Sequence, residues 1–468
     1  MTEAPLDLLS FDRGSVTAPA GCGKTELIAT ALSRHEGTKP ILVLTHTNAG
    51  VVALRGRLER LKVSPSAFRL STIDGWAMRL VATFPARSSL DPAVLRLSTP
   101  GRDYPAIRAA ALGLLKERHL DSVLASTYAR LVVDEYQDCS VPQHGIVCEA
   151  ARVLPTCVLG DPLQAIFDFN EALAGWQEVC TAFPLRGELS TPWRWHRAGT
   201  HDLGAWLLDV RRLLMSGQPI DLGSAPPQVS WVHLDGTGDF ETRLRACRTT
   251  SDRPDGGVLI IGDTKPASHR SYASRIPGAV TVESVDLRDV VSFASGFDPA
   301  GSDALERLVS FADSVMTGLG GADLLRRVAS HQRGTARTPP TEAEQALLDF
   351  LSAPGHAAAA ALLAKLNALT GVRVHRPTIL RGAMRALATC GSGTLRDAAV
   401  AVREENRLLG RPLPKRAVSS TLLLKGLEAD VAVILDASAL NRRNLYVAMT
   451  RGCRRLVVCS RSKVLNPA

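Results

Sequence analysis

At 468 residues the chain is long enough for two or more domains with sizeable cores, and 45% hydrophobic with 22% charged residues excludes a disordered polymer. Lys and Arg (55) outnumber Asp and Glu (46), a formal charge of +9 carried mainly by arginine, which favours a polyanionic partner. No apolar run approaches a membrane span, "MTEAPLDLLSFDRG" lacks the regions of a secretory signal, and the nine cysteines form no CxxC pair; a cytoplasmic protein with buried thiols and no zinc or disulfide framework is expected.

The first chemical signal is "VTAPAGCGKTEL", Val16 to Leu27. A glycine-rich turn feeding a helix points successive backbone N–H groups at an anion, at the positive end of the helix dipole. Gly21 and Gly23 supply the turn, Lys24 would reach the β- and γ-phosphates, and the Thr25 hydroxyl would ligate a bridging Mg²⁺. Ala18 stands where the general pattern has its first glycine. Taken alone, the pattern also describes a glycine turn opening an ordinary helix.

Further along, "KPILVLTHTN", "ARLVVDEYQD" and "TCVLGDPLQ" are β-branched runs that end in polar clusters, separated by stretches with helical apolar spacing. This pattern predicts a parallel sheet with crossover helices, whose ligand lies beyond the carboxyl ends of the strands. An interruption at about 82–126 divides the first domain. Asp134 and Glu135 end one strand, where the first can hold Mg²⁺ and the second can orient or deprotonate an attacking water. Gln164 ends another and can contact a γ-phosphate. Phe167 and Phe169 follow it and are either core residues or a platform for stacking a nucleic-acid base.

A second set of strands reads from "QVSWVHLD", "GGVLIIGDT", "DVAVILDAS" and "RRLVVCSRS". Between the second and third of these lies an Ala- and Leu-rich helical stretch, as in "GHAAAAALLAKLNAL" and "TLRDAAVAVREENRLL". The organisation expected is a first domain over 1–195, a helical linker over 196–225, a second domain over 226–292 and 414–468, and a helical insertion over 293–413.

In order and wording these motifs resemble a superfamily 1 helicase of the UvrD/Rep type. "APAGCGKT", "VLTHTNAGVVALRGRL", "STIDGWAMRL", "VVDEYQD", "GDPLQAIFDF", "ELSTPWRWHR", "SSTLLLKGLEADVAVILD" and "NLYVAMTRGCRRLVV" carry the resemblance. It implies an α/β fold of two RecA-like domains with reduced helical insertions, and ATP with Mg²⁺ as cofactors. The nucleotide would be held by Ala18, Pro19, Ala20, Gly21, Cys22, Gly23, Lys24, Thr25 and Glu26, with Thr25 and Asp134 on the metal. Trp193 would stack on the adenine, Glu428 lie near the ribose, and Arg194 and Arg451 bring guanidinium groups to the γ-phosphate. Lys24, Asp134, Glu135, Gln164, Arg194 and Arg451 form the implied catalytic set.

Single-stranded DNA, also as part of a partial duplex, is the implied partner, at His46, Thr47, Asn48, Thr72, Phe167 and Phe169. His46 stands where the family usually has an aromatic, and a solvated loop histidine is an equal reading of it. Several positions depart from the pattern: no glutamine precedes Gly21, Asp74 replaces a DNA-contacting histidine, and Leu422 occupies another such place. The resemblance implies 3′ to 5′ translocation. The short form also resembles the helicase subunit of Gabija-type antiphage systems, which accompanies a nuclease-ATPase. A nucleotide-regulated sensor or scaffold in such a complex is the competing reading.

Overall fold

The computed structural model describes residues 6–167, 171–284, 286–391, 393–408 and 414–467. The chain divides into two compact units, one of Met1–Ser230, Ser438–Arg454 and Ser462–Ala468, the other of Trp231–Ala437 and Arg455–Arg461. Segments 438–454 and 462–468, which the sequence reading groups with the second domain, therefore pack in the first unit. The helix His201–Ser216, read as part of a linker, also belongs there.

The first unit is built on a six-stranded sheet of β1 (Arg13–Thr17), β2 (Ile41–Thr45), β3 (Phe68–Thr72), β4 (Leu131–Val133), β5 (Thr156–Gly160) and β6 (Leu185–Glu188). Its order is β3-β2-β4-β5-β1-β6, and every pairing is parallel. β2, β4 and β5 are buried along their whole length, which is why they read as continuous apolar runs. The two-residue alternation still sorts their side chains by face. Ile41, Val43, Val132 and Leu159 meet Ile28 and Leu32 on one side. Leu42, Leu44, Leu131, Val133 and Val158 meet Trp76, Ile107, Leu114 and Ile146 on the other. The interruption at 82–126 supplies the helix Pro100–Lys116, whose Ile107 and Leu114 make it part of this core.

Because the strands are parallel, their carboxyl ends share one edge. The segments that follow β1, β2, β4 and β5 carry, in turn, the glycine turn, His46–Asn48, Asp134–Gln137 and Asp161–Gln164, and Thr72 is the last residue of β3.

In the second unit the strands run in the order Val280–Thr281, Arg416–Ser420, Val258–Gly262 and Ala429–Ile434, followed by the parts of Gly452–Ser460 and Val229–His233 that belong to it, Arg455–Ser460 and Trp231–His233. The pairings among the first four are parallel. Both units thus have RecA-like α/β architecture. The helical insertion begins at the helix Arg288–Gly296, slightly before the expected boundary, and has a core of its own that includes Leu308, Ala312, Leu347, Leu363 and Leu387. The nine cysteines are free thiols, and among the described residues no helix is long and apolar enough to cross a membrane.

Candidate nucleotide site and nucleic-acid face

β1 delivers the chain to the glycine turn, and Ala18 N–H donates to Gly160 O at 2.8 Å, pinning the turn to the end of β5. Gly21 and Gly23 adopt φ of 72° and 90°, a left-handed conformation that glycine takes without steric cost. Space is equally restrictive: a Cβ on Gly21 would lie 2.6 Å from Trp195 and 2.9 Å from Arg194, and one on Gly23 would lie 3.1 Å from Trp193. The turn opens directly into the helix Lys24–Ser33, whose first N–H groups have no intrahelical acceptor. Ala20 N–H donates to Tyr446 Oη at 3.1 Å. Burial, with the charge of Asp161, pushes the Cys22 thiol up to about 12, so Cys22 acts as a small buried group rather than a nucleophile.

Lys24 Nζ lies 2.8 Å from Asp134 Oδ1 and also bonds Glu135 Oε1. Burial opposes its charge, but the two carboxylates outweigh burial and hold the ammonium above the usual lysine range. Glu135 itself has φ 55° and ψ 38°, an uncommon left-handed conformation for a residue with a side chain. Its N–H donates back to Asp134 Oδ1 at 2.9 Å, so the backbone twist fixes one carboxylate while aiming the other.

Gln137 links this pair to the next strand end. Its Nε2 donates to Glu135 Oε2 at 2.5 Å, and its Oε1 accepts from Asp161 N–H at 3.1 Å. Gln164 Nε2 in turn donates to Asp161 Oδ2 at 3.2 Å. Gln137, Asp161 and Tyr446 all lie within the motifs that carry the resemblance but outside the set of roles that it implies. The signal that could have found Gln137 and Asp161 is a polar residue inside each strand-end cluster that the phosphate chemistry left unused.

Arg194 is tied to the glycine turn by its own N–H, which donates to Gly21 O at 3.1 Å, and its Nη1 donates to Thr450 O at 2.6 Å. Trp193 is 49% exposed beside Gly23. Arg451 is buried, with Nε 2.9 Å from Val447 O and Nη2 3.1 Å from Thr450 Oγ1. Arg197 and Arg57 pair with Glu26, in the first turn of the helix Lys24–Ser33. Glu428 lies exposed in the second unit, in the turn before the strand Ala429–Ile434.

Of the residues that the resemblance assigns to DNA, Thr47 and Thr72 cap the helices Asn48–Arg60 and Ile73–Thr83, accepting from Gly50 N–H at 3.1 Å and Gly75 N–H at 2.9 Å. Asn48 is the first helical residue. The His46 and Phe167 rings pack at 5.2 Å between centroids, tilted by 53°. Phe169 lies outside the described residues. Asp74 is held by Arg108 through two bonds, Nε to Oδ1 at 2.7 Å and Nη2 to Oδ2 at 2.6 Å, and by Gln143 Nε2 at 2.9 Å. Arg108 Nη1 also meets Glu171 Oε2 at 2.6 Å, so one guanidinium serves both carboxylates from within the protein.

Residues 97–176 match the family model of the UvrD/REP helicase N-terminal domain. The matched segment runs from the helix Pro100–Lys116 through β4, Asp134 and Glu135 to β5 and Gln164, and supports a UvrD-like superfamily 1 helicase. Helicases of this kind couple ATP hydrolysis to work on nucleic acid. No curated protein matches the chain.

The residues present fit the nucleotide and metal that such a protein uses. A cradle closed to any Cβ, a helix N-terminus and a lysine suit a triphosphate. One hydroxyl from Thr25 and one carboxylate from Asp134 suit Mg²⁺, which keeps most of its water and takes few protein ligands.

Proposed function

We propose that this chain is an ATP-dependent helicase or translocase acting on single-stranded DNA with 3′ to 5′ polarity. The observation that carries the reading is Lys24 set between Asp134 and Glu135 at the mouth of the glycine turn. In this arrangement the lysine offsets one of the two negative charges that would otherwise repel a polyphosphate, and it stands ready to exchange the carboxylates for phosphate oxygens. Mg²⁺, when bound, would screen the β- and γ-phosphate charge. Thr25 and Asp134 are the residues to hold it. Glu135, released from Lys24, is the base that takes a proton from the attacking water, and Gln164 positions that water against the γ-phosphate. Arg194 and Arg451 are assigned to the charge that develops on the transferred group, a role generally worth about 10³–10⁵ in rate.

Steady-state ATP hydrolysis tests the reading, measured without nucleic acid and with single-stranded DNA, duplex DNA or single-stranded RNA, using Lys24→Ala as background. Strong stimulation by single-stranded DNA supports the motor, and a tailed duplex then reports polarity. The pairing of Asp74 with Arg108 favours a second reading, since it removes an expected DNA contact. In that reading the chain is a nucleotide-regulated subunit of a nuclease complex of the Gabija type, and turnover is indifferent to all three nucleic acids.

A further inference from the structure

Arg211 is a buried cation to which the proposed chemistry gives no role. It lies on the helix His201–Ser216, on the same stripe as Leu203, Leu207 and Leu214, and is 7% exposed. A guanidinium in such a place is retained only when paired. Its Nε and Nη2 each lie 3.3 Å from Asp161 Oδ1, and its Nη1 lies 2.7 Å from Glu188 Oε1.

The partner is what makes this pairing informative. Asp161 is 1% exposed, and its four hydrogen-bonding directions are allotted to different jobs. Oδ1 takes Arg211 and the Leu163 N–H at 3.3 Å. That leaves Oδ2 to receive the Gln164 amide at 3.2 Å. The Asp161 N–H, meanwhile, reaches Gln137 and through it Glu135. Arg211 thus stands at the outer end of a chain of bonds that terminates on two side chains assigned to hydrolysis.

We propose that Arg211 is a positioning residue that sets the rotation of the Asp161 carboxylate and, through it, the orientation of the Gln164 amide. The inference rests on the hydrolytic reading of the Lys24 site. A planar guanidinium presenting two N–H groups to one oxygen fixes that rotation, whereas a lysine ammonium supplies the charge without the plane. Arg211→Lys therefore separates positioning from simple neutralisation.

The test uses the full chain as wild type, Arg211→Lys, Arg211→Ala, Gln164→Ala and the double variant Arg211→Lys/Gln164→Ala. Affinities for ADP and for a non-hydrolysable ATP analogue are measured beside kcat and KM. Arg211→Lys is expected to keep ADP affinity within about twofold while losing roughly tenfold in kcat, and to add less than about twofold to the loss in the Gln164→Ala background. Arg211→Ala, where it folds, shows the same pattern more strongly.

Wild-type kcat in Arg211→Lys overturns the proposal. So do an equal loss of ADP and ATP-analogue binding, or an undiminished loss on top of Gln164→Ala. A wild-type chain that binds neither nucleotide overturns the hydrolytic reading as well, and is recognised because the defect appears before any substitution.

Discussion

Lys24 Nζ, on the helix that follows β1, lies 2.8 Å from Asp134 Oδ1, at the end of β4. Lys24→Ala takes the cationic partner away from two carboxylates together. Hydrolysis should fall by about 10²–10³ or more, as for loss of a principal electrostatic group, and in the absence of nucleotide the melting temperature should also drop. Turnover at the wild-type rate would remove Lys24 from the mechanism.

Glu135→Gln keeps the size of the side chain and a hydrogen-bonding oxygen while removing the base. A kcat lower by roughly 10²–10⁴ with ATP affinity retained is the expected result, read by single-turnover hydrolysis beside equilibrium binding. Because the variant also releases Lys24 from one carboxylate, ATP affinity should not fall.

Gly21→Ala places a Cβ 2.6 Å from Trp195 in a backbone conformation with φ 72°. Strain of about 1–3 kcal/mol is expected from the backbone alone, before the indole moves. Nucleotide affinity should fall more than tenfold, and calorimetric titration would show an unaltered affinity if the turn does not form the cradle.

Arg108→Ala strips Asp74 of a two-pronged partner, in a pair whose side chains are only 14% and 20% exposed. A loss of about 2–3 kcal/mol is expected, seen as a lower urea midpoint with an unchanged slope. Asp74→Asn should cost less, since Gln143 still finds an acceptor there.

His375 supplies a pH dependence in the second unit. Burial first, then the neighbouring Arg376 and Arg373, lower its pKa from 6.5 to about 4, against the pull of Glu283, with Arg270 adding to the repulsion. Since the folded value lies below the unfolded one, the unfolded chain binds the extra proton. Stability is full above 6.5 and falls as the pH drops towards 4, by on the order of 3 kcal/mol in total. Urea unfolding at about pH 7 and about pH 5 should show the loss, and His375→Leu should flatten it, because the bond made by residue 375 to Thr281 N–H uses the backbone carbonyl.

Much of the architecture was legible because its signals are local. β2, β4 and β5 are short buried runs, and their β-branched residues announce them without reference to the rest of the chain. β1 and β3, "RGSVT" and "FRLST", carried no such run, because polar residues dilute them and partners on the sheet hold them in place. Reading 438–454 with the second domain followed chain order, whereas Tyr446 and Thr450 meet Ala20 and Arg194 in the first unit.

What the sequence by itself determined is the glycine turn and its place at the end of a strand. Gly21 and Gly23 set a turn through consecutive backbone angles, and a parallel sheet puts every strand-end cluster on one edge whatever the loops between them contain. Only the tertiary structure decided who pairs with whom. Lys24 finds Glu135 across 111 positions, Gln137 finds Asp161 across 24, and Arg211 finds Asp161 across 50. Such pairings depend on which side chains the packed helices bring within hydrogen-bond reach once water is excluded, and no local spacing encodes that distance.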